Sequence, residues 1–455
     1  MSGPERLDSG TAAARAASIP PEGDVAQESS LRAGRGGAPA SGAAASLRRN
    51  VAWTLLGNFT YGACQWAMLI LLAKIGTPEA VGRFALGFAL AAPVFMAASM
   101  NLRNMLATDA HRDYEFGDYL GLRLSSAAVA TAVMVAVAGL FYRGETALTI
   151  VVVALAKSTE SVGDVYLGFM QRHEHMEWVS RSLIIKGAAA MAGLLVGLRV
   201  GGSVSAGVAG VALAWATTVA CYDIRNASRL ARLLGHAPLR PQWRWPVQWK
   251  LAWLALPLGT ASFLGSLQTN IPRLFVERLL GTRELGFFAA AGYLIVVGGR
   301  VMTALGESAG PRLANYHAQR DPERFSRLLL QMVGIAAGIG IAAIAVALAY
   351  GKPLLALIYL PEYADQARVL ATLMLAAALN YVGVVLGYAM TASRVLRAQP
   401  AVLVAACLVT AAACWFLVPR YGNEGAALSM CLGALVQVLG NAHATRAMVR
   451  RLGSA

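Results

Sequence analysis

The sequence predicts an all-α integral membrane protein with about 12 transmembrane helices, arranged as two parallel six-helix repeats around a central cavity. Of its 455 residues, 57% are hydrophobic and only 14% are charged, which leaves too little polar material to cover a soluble globule. Apolar runs close to 20 residues long recur from residue 51 onward, the length that crosses a bilayer as a helix. Two sequence elements also recur in the second half of the chain.

The apolar runs predict six spans in each half. They cover residues 51–73, 84–102, 120–141, 146–168, 182–199, 205–224, 251–271, 284–306, 327–350, 367–391, 400–418 and 424–442. The domains predicted from them are a disordered tail (1–50), an N-terminal half (51–224), a basic linker (225–250), a C-terminal half (251–442) and a basic tail (443–455). The first tail is rich in Ala, Gly, Ser and Pro and has no apolar periodicity, so it cannot offset the entropy of ordering.

The basic residues indicate how the chain is oriented. The net charge is +15, and most Lys and Arg residues lie in alternate loops between the apolar runs, as in cytoplasmic loops of membrane proteins. This pattern predicts that both termini are cytoplasmic. It does not favour nucleic-acid binding, which needs a solvated basic surface with interleaved aromatic residues. The five cysteines lie in apolar runs and show no pairing pattern.

Two short elements are repeated between the halves. Residues 75–85 read IGTPEAVGRFA after the first span, and residues 280–289 read LGTRELGFFA after the seventh. Residues 207–212 read GVAGVA, and residues 422–427 read GNEGAA, at the openings of spans six and twelve. Because each half has an even number of spans, duplicated halves run in the same direction about an axis along the membrane normal. This is the architecture of a transporter.

At these elements the sequence resembles polysaccharide flippases of the multidrug/oligosaccharidyl-lipid/polysaccharide exporter (MOP) superfamily, the Wzx-type O-antigen translocases. The resemblance covers residues 48–445. It implies that the protein moves an undecaprenyl-pyrophosphate-linked oligosaccharide across the bacterial inner membrane by alternating access, for assembly of O-antigen or exopolysaccharide. The implied partners are this substrate, membrane lipids, a proton or sodium ion, and polymerase and chain-length proteins of the same pathway.

Two alternatives remain open from the sequence. A drug or cation antiporter of the same superfamily has the same layout, although the first span here lacks a carboxylate. A membrane enzyme of glycan assembly would be expected to carry an acidic pair in a large outer loop, whereas the predicted outer loops are short. No cofactor or metal-ligand motif stands out, since His173 and His175 point to different sides of a helix and HExxH is absent. We therefore expect a transporter and not an enzyme.

The fourth span carries the strongest candidate site. Lys157, Glu160 and Asp164 lie on one face of its inner half, and Lys157 is roughly 16 Å from either end at 1.5 Å per residue. Charges at this depth usually face a pathway, and we expect Lys157 to line the translocation cavity with Glu160 as its partner. A helix-packing ion pair is the structural alternative.

Further polar positions within the spans are weaker pathway candidates. Arg123 and Lys186 lie within two turns of predicted inner ends, where a long side chain can also extend to the interface. Arg300 likewise either lines the pathway or extends its side chain to the interface. Polar stripes in spans one and seven suit either sugar hydroxyls or interhelical hydrogen bonds, and they include Asn58, Gln65 and Arg273. The acidic segment before span three, residues 109–118, is expected to be a solvated helix cap.

Overall fold

The computed structural model describes residues 40–109, 113–393, 395 and 398–453, and no β-strand occurs in these ranges. The chain divides into two units, residues 1–52 and 53–455. Most of the predicted tail, residues 1–39, lies outside the described residues. The first helix nevertheless begins at Ala40, ahead of the predicted boundary, because its Ala-rich start has a high helix propensity.

The N-terminal half contains six long helices. They are α1 (Ala40–Ile75), α2 (Pro78–Thr108), α3 (Phe116–Phe141), α4 (Gly144–Arg172), α5 (Met176–Gly201) and α6 (Val204–Leu233). Helix α2 is interrupted at Met100 and Asn101, whose φ angles are positive. Helix α6 contains a π-helical turn at Val219–Asp223.

The C-terminal half repeats this order. Its helices are α7 (Trp245–Leu280), α8 (Thr282–Ala318), α9 (Pro322–Ile358), α10 (Pro361–Ala392), α11 (residues 398–421) and α12 (residues 423–452). The last two are separated only by a kink at Gly422, where φ is 57° and ψ is −136°. In the described residues, eleven continuous helical segments are long and apolar enough to cross a membrane. One of these segments is kinked at Gly422 and contains both α11 and α12, so it provides two spans.

The twelve predicted spans are therefore confirmed, but many helices are longer than the apolar runs. Helix α6 continues nine residues past the predicted end at 224, helix α7 begins at Trp245 and not 251, and α12 continues through most of the predicted basic tail. Charged and Trp-rich ends can remain helical in the interface because helical hydrogen bonds need no apolar surroundings. The linker is thus only residues 234–244.

The linker is fastened to the start of α3. The backbone N–H of Gln242 donates to the carbonyl of Gly117 at 2.9 Å, and Arg244 Nε donates to Asp118 Oδ1 at 3.0 Å. Asp118 is fully buried, and its hydrogen bonds raise the pKa of Arg244. We call residues 242–244 with Asp118 the linker clasp. The sequence suggested that the acidic segment is a solvated helix cap. Asp118 in this segment is instead buried and binds the linker.

Candidate functional site

The two halves meet most closely where the first repeated element packs against its copy. A Cβ atom on Gly82 of α2 would lie 1.8 Å from the carbonyl oxygen of Thr282, and one on Gly286 of α8 would lie 2.0 Å from that of Pro78. Only glycine permits this backbone approach, so the repeated glycines are the contact residues of a helix crossing. The crossing holds the two halves together at the end of the molecule at which α2 and α8 begin.

A layer of buried charges lies in the other end of the N-terminal half. Its centre is the ion pair between Lys186 of α5 and Asp223 of α6, with 2.7 Å between Nζ and Oδ2. The two side chains are 2% and 0% exposed, and Ser182 donates a further hydrogen bond to Asp223. The expectation that Lys186 extends to the interface is therefore wrong. The sequence predicted that span six ends next to Asp223. In the structure, ten further helical residues follow Asp223.

Local backbone features bring this pair together. Asp223 ends the π-helical turn of α6, and the extra residue in such a turn rotates the following side chains relative to an uninterrupted α-helix. Gly163 of α4 lies against the pair, because a Cβ there would be 2.7 Å from Val219 Cγ2 and 2.9 Å from Lys186 Nζ. Helix α4 can approach α5 and α6 only because position 163 lacks a side chain.

The predicted pair in α4 is also present. Lys157 forms an ion pair with Glu160, and the Tyr61 hydroxyl donates a hydrogen bond to the same carboxylate. The ammonium of Lys157 lies 5.9 Å from the ring centroid of Trp215, an attractive cation–π geometry. Trp215 is fully buried, and its indole N–H has no acceptor among the described residues. Tyr61 and Trp215 thereby link α4 to α1 and α6.

Two arginines complete the layer. Arg103 Nη1 lies 3.5 Å from Asp164 Oδ1. Arg123 is 1% exposed, and its Nη1 donates to Ser161 Oγ at 3.1 Å, while its Nε has no acceptor in the described chain. No carboxylate oxygen lies within 4.0 Å of Arg123 among the described residues. Arg123 is thus buried, and it does not extend to the interface as the sequence allowed.

The layer has one cation in excess. It contains the four cations Arg103, Arg123, Lys157 and Lys186 and the three carboxylates Glu160, Asp164 and Asp223. Each carboxylate forms its ion pair with another basic group, and Arg123 is left with only the longer-range electrostatic attraction of Asp164. A surplus cation in a low-dielectric region attracts an anion, and carboxylates beside it can exchange a proton or a metal cation.

The remaining sequence candidates separate into two groups. Gln65 lies close enough to Tyr61 to interact with its hydroxyl, whereas Asn58 is exposed and donates to the Thr54 carbonyl in its own helix. Arg273 and Arg300 lie in the C-terminal half, near enough to Tyr293 to interact electrostatically with it. The structure therefore places the candidates in two separate halves, with the larger group in the N-terminal half.

Sequence reasoning missed residues whose roles depend on neighbouring helices. They are Asp223, Ser161, Ser182, Gly163 and Trp215. One available signal was the intramembrane carboxylate of Asp223, since the amphipathic pattern of residues 224–233 continues the helix beyond it. The two serines and Gly163 carried no comparable signal.

Comparison with known proteins agrees with this architecture. The MatE family model matches residues 257–419. The chain is 24% identical over 396 residues to the capsular polysaccharide biosynthesis protein CapF of Staphylococcus aureus, covering 86% of this chain and 97% of that protein.

Solved transporters share the fold at low sequence identity. An inward-facing multidrug resistance MATE family transporter of the MOP superfamily aligns with a TM-score of 0.70 at 14% identity, covering 88% of this chain and 96% of that one. An outward-facing structure aligns with a TM-score of 0.61, also at 14% identity, covering 90% and 96%. A MOP superfamily transporter from Pyrococcus furiosus, described as having a binding pocket of reverse polarity, aligns at 0.63 with 14% identity and the same coverage. The chain is therefore similar in sequence to the MatE family over residues 257–419, and over most of its length it has the multi-pass membrane fold of MATE transporters.

Proposed function

We propose that the protein flips an undecaprenyl-pyrophosphate-linked oligosaccharide across the bacterial inner membrane by alternating access, for polysaccharide assembly. The observation that carries this proposal is the charged layer with its surplus cation at Arg123. A pyrophosphate group needs cationic hydrogen-bond donors to leave the headgroup region, and guanidinium and ammonium groups provide them. The layer lies near the end of the N-terminal half that is opposite the crossing.

The position of the crossing supports loading from the cytoplasmic leaflet. The crossing holds the halves together at the end opposite the charged layer. With both termini in the cytoplasm, as loop charge predicts, the end that carries the charged layer faces the cytoplasm. The full-length similarity to a capsular polysaccharide biosynthesis protein favours the same substrate class.

Within this proposal the site residues have distinct roles. Arg123, Lys157 and Lys186 attract the pyrophosphate, while Glu160 and Asp164 exchange the coupling proton or sodium ion as their basic partners are drawn to substrate. Gln65, Asn58 and Arg300 provide polar groups along the path. Polymerase and chain-length proteins of the pathway receive the flipped product.

A drug or cation antiporter is the second candidate, favoured by the likeness to multidrug transporters and by the accessible carboxylate of Asp164, which is 38% exposed. A cationic drug would bind Asp164 and be repelled by Arg123. The two candidates therefore respond oppositely to a change at position 123.

The test uses purified protein in proteoliposomes that contain a fluorescent lipid-linked pyrophosphate oligosaccharide, with flipping followed by quenching from one side. Arg123→Gln keeps a polar side chain at this position but removes the charge. We expect flipping to fall about tenfold or more, the loss of one charge-assisted hydrogen bond. Arg278→Gln, an exposed change outside the layer, is the matched control. Absence of flipping by the unmodified protein, together with export of lipophilic cations that rises in Arg123→Gln, would instead establish the antiporter.

A further inference from the structure

The C-terminal half contains a cation that has no acidic partner. Arg273 of α7 is half-buried, and its Nη1 donates to Asn270 Oδ1, 3.1 Å away on the same helix. Within the described ranges, no carboxylate oxygen lies within 4.0 Å of its guanidinium. Glu277 follows one turn later, but it accepts a hydrogen bond from Tyr142 and not from Arg273. In the N-terminal layer, by contrast, every basic side chain except Arg123 forms an ion pair with a carboxylate.

Arg273 lines a partly open cavity of about 70 Å³. Every residue of the cavity wall belongs to α7, α8, α10, α11 or α12, so the cavity lies within the C-terminal half and not between the halves. The polar side chains in the wall are Gln268, Thr269, Arg273, Asn380 and Thr410. The rest of the wall is apolar, which lowers the local dielectric constant and strengthens electrostatic interactions with the guanidinium.

The size of the cavity restricts its occupant. A water molecule needs about 10–15 Å³ of such volume, so the cavity holds a few waters or one small ion with water. The wall offers a guanidinium and the carboxamide N–H groups of Gln268 and Asn380, and it contains no carboxylate, which suits an anion and not a cation. The hydroxyls of Thr269 and Thr410 already donate to backbone carbonyls of their own helices.

We propose that this cavity binds a small inorganic anion of the size of chloride as the permanent counter-ion of Arg273. A guanidinium that is removed from water and left unpaired in a membrane protein is costly, and a bound anion offsets this cost. The anion connects α7 with α8, α10 and α11 inside the C-terminal half. It therefore stabilises that half as one body and is not itself carried with the substrate. This site is independent of the flippase proposal.

Thermal unfolding of the purified protein tests the site without any transport measurement. At constant ionic strength, replacing sodium gluconate with sodium chloride should raise the Tm of the unmodified protein saturably, because a ligand that binds only the folded state stabilises it. Arg273→Gln should lose this dependence on chloride, whereas Arg278→Gln, on the exposed side of the same helix, should keep it. A Tm of the unmodified protein that is independent of chloride, or an Arg273→Gln variant that still responds, would overturn the proposal.

A second measurement covers the case in which Arg273→Gln does not fold. Crystals of the unmodified protein grown in sodium bromide should show an anomalous peak within hydrogen-bonding distance of the Arg273 guanidinium. An empty cavity in the anomalous map would overturn the proposal. Stabilisation by inorganic pyrophosphate and not by chloride, if lost in Arg273→Gln, would overturn it as well and would assign Arg273 to the substrate path.

Discussion

At the scale of single residues, the N-terminal half shows how a membrane protein retains seven ionised side chains in and near its apolar interior. Three of the four cations are paired with carboxylates from neighbouring positions or helices, as in Lys186–Asp223. Taking such charges out of water is expensive, and only close pairing with further hydrogen bonds offsets the cost. Ser182 supplies such a bond to Asp223, and Tyr61 supplies one to Glu160.

The role of the Lys157–Glu160 pair remains a prediction, and the structure sharpens its test. Lys157→Ala should reduce transport while the protein still inserts, because Glu160 keeps its Tyr61 hydrogen bond and is 16% exposed. If the pair is structural packing, loss of one member leaves an uncompensated charge costing about 3–5 kcal/mol, and the protein should be degraded. Transport and the membrane amount of the protein are measured together.

The double variant Lys157→Leu with Glu160→Leu is the control for this test. A structural ion pair can often be replaced by apolar residues with little loss of stability. We expect this variant to be stable but inactive. A stable and fully active protein would exclude a role for the pair in the pathway.

Gly163 gives a prediction about the buried Lys186–Asp223 pair. Gly163→Ala places a methyl group 2.9 Å from Lys186 Nζ and 2.7 Å from Val219, so α4 must move away or the pair must distort. We expect a loss of about 1–3 kcal/mol in unfolding free energy, the usual cost of overpacking. It is measured as a lower Tm in detergent. Gly62→Ala in α1, where a Cβ meets no atom within 4 Å, should leave the Tm nearly unchanged; an equal effect at both positions would contradict the packing account.

At the scale of helices, two devices hold the halves in register. The crossing of α2 and α8 joins them at one end through Gly82 and Gly286, and the linker clasp joins the start of α7 to the start of α3. Exposed ion pairs from Arg283 to Glu79 and Glu362 add little to the crossing, because such pairs are screened by water. Under the proposed alternating access the crossing has to separate, since it holds the halves together at one end.

The crossing predicts a shift in conformation when a side chain is added. Gly286→Ala puts a methyl group 2.0 Å from the Pro78 carbonyl oxygen, a backbone atom that cannot turn aside. The end held together by the crossing should therefore open, and the population should shift toward the outward-open state. Distances between spin labels on the ends of α2 and α8, measured by pulsed electron resonance, should lengthen.

The control for the crossing lies on the same helix. Gly299→Ala meets no atom within 4 Å of its Cβ and should give the distance distribution of the unmodified protein. Identical distributions for Gly286→Ala and the unmodified protein would show that the crossing does not hold the halves together.

At the scale of the whole molecule, orientation decides which leaflet the end with the crossing faces, and it remains a prediction from loop charge. In a variant without native cysteines, Ala237→Cys in the linker and Arg143→Cys between α3 and α4 are both exposed and lie at opposite ends of the bundle. An impermeant thiol reagent applied to intact spheroplasts should label Arg143→Cys, and Ala237→Cys only after permeabilisation. The reverse pattern would invert the orientation and would place the charged layer near the outer leaflet.

The sequence by itself determined the class, the number of spans, the duplication and the pair in α4. Hydropathy and charge are local along the chain, because the bilayer acts on each segment as a solvent whatever its neighbours are. The i,i+3 spacing of Lys157 and Glu160 is likewise set within one helix, which is why this pair could be anticipated.

Only the tertiary structure decided which distant residues meet. Asp223 faces Lys186 through a π-helical turn, and one residue more or less in α6 would rotate the carboxylate by about 100°. Asp118 binds Arg244, 126 positions away, and Gly82 packs against Thr282 in the other half. Helix rotation and packing set these contacts, and no local pattern encodes them, since many rotations of an apolar helix expose equally apolar faces to lipid.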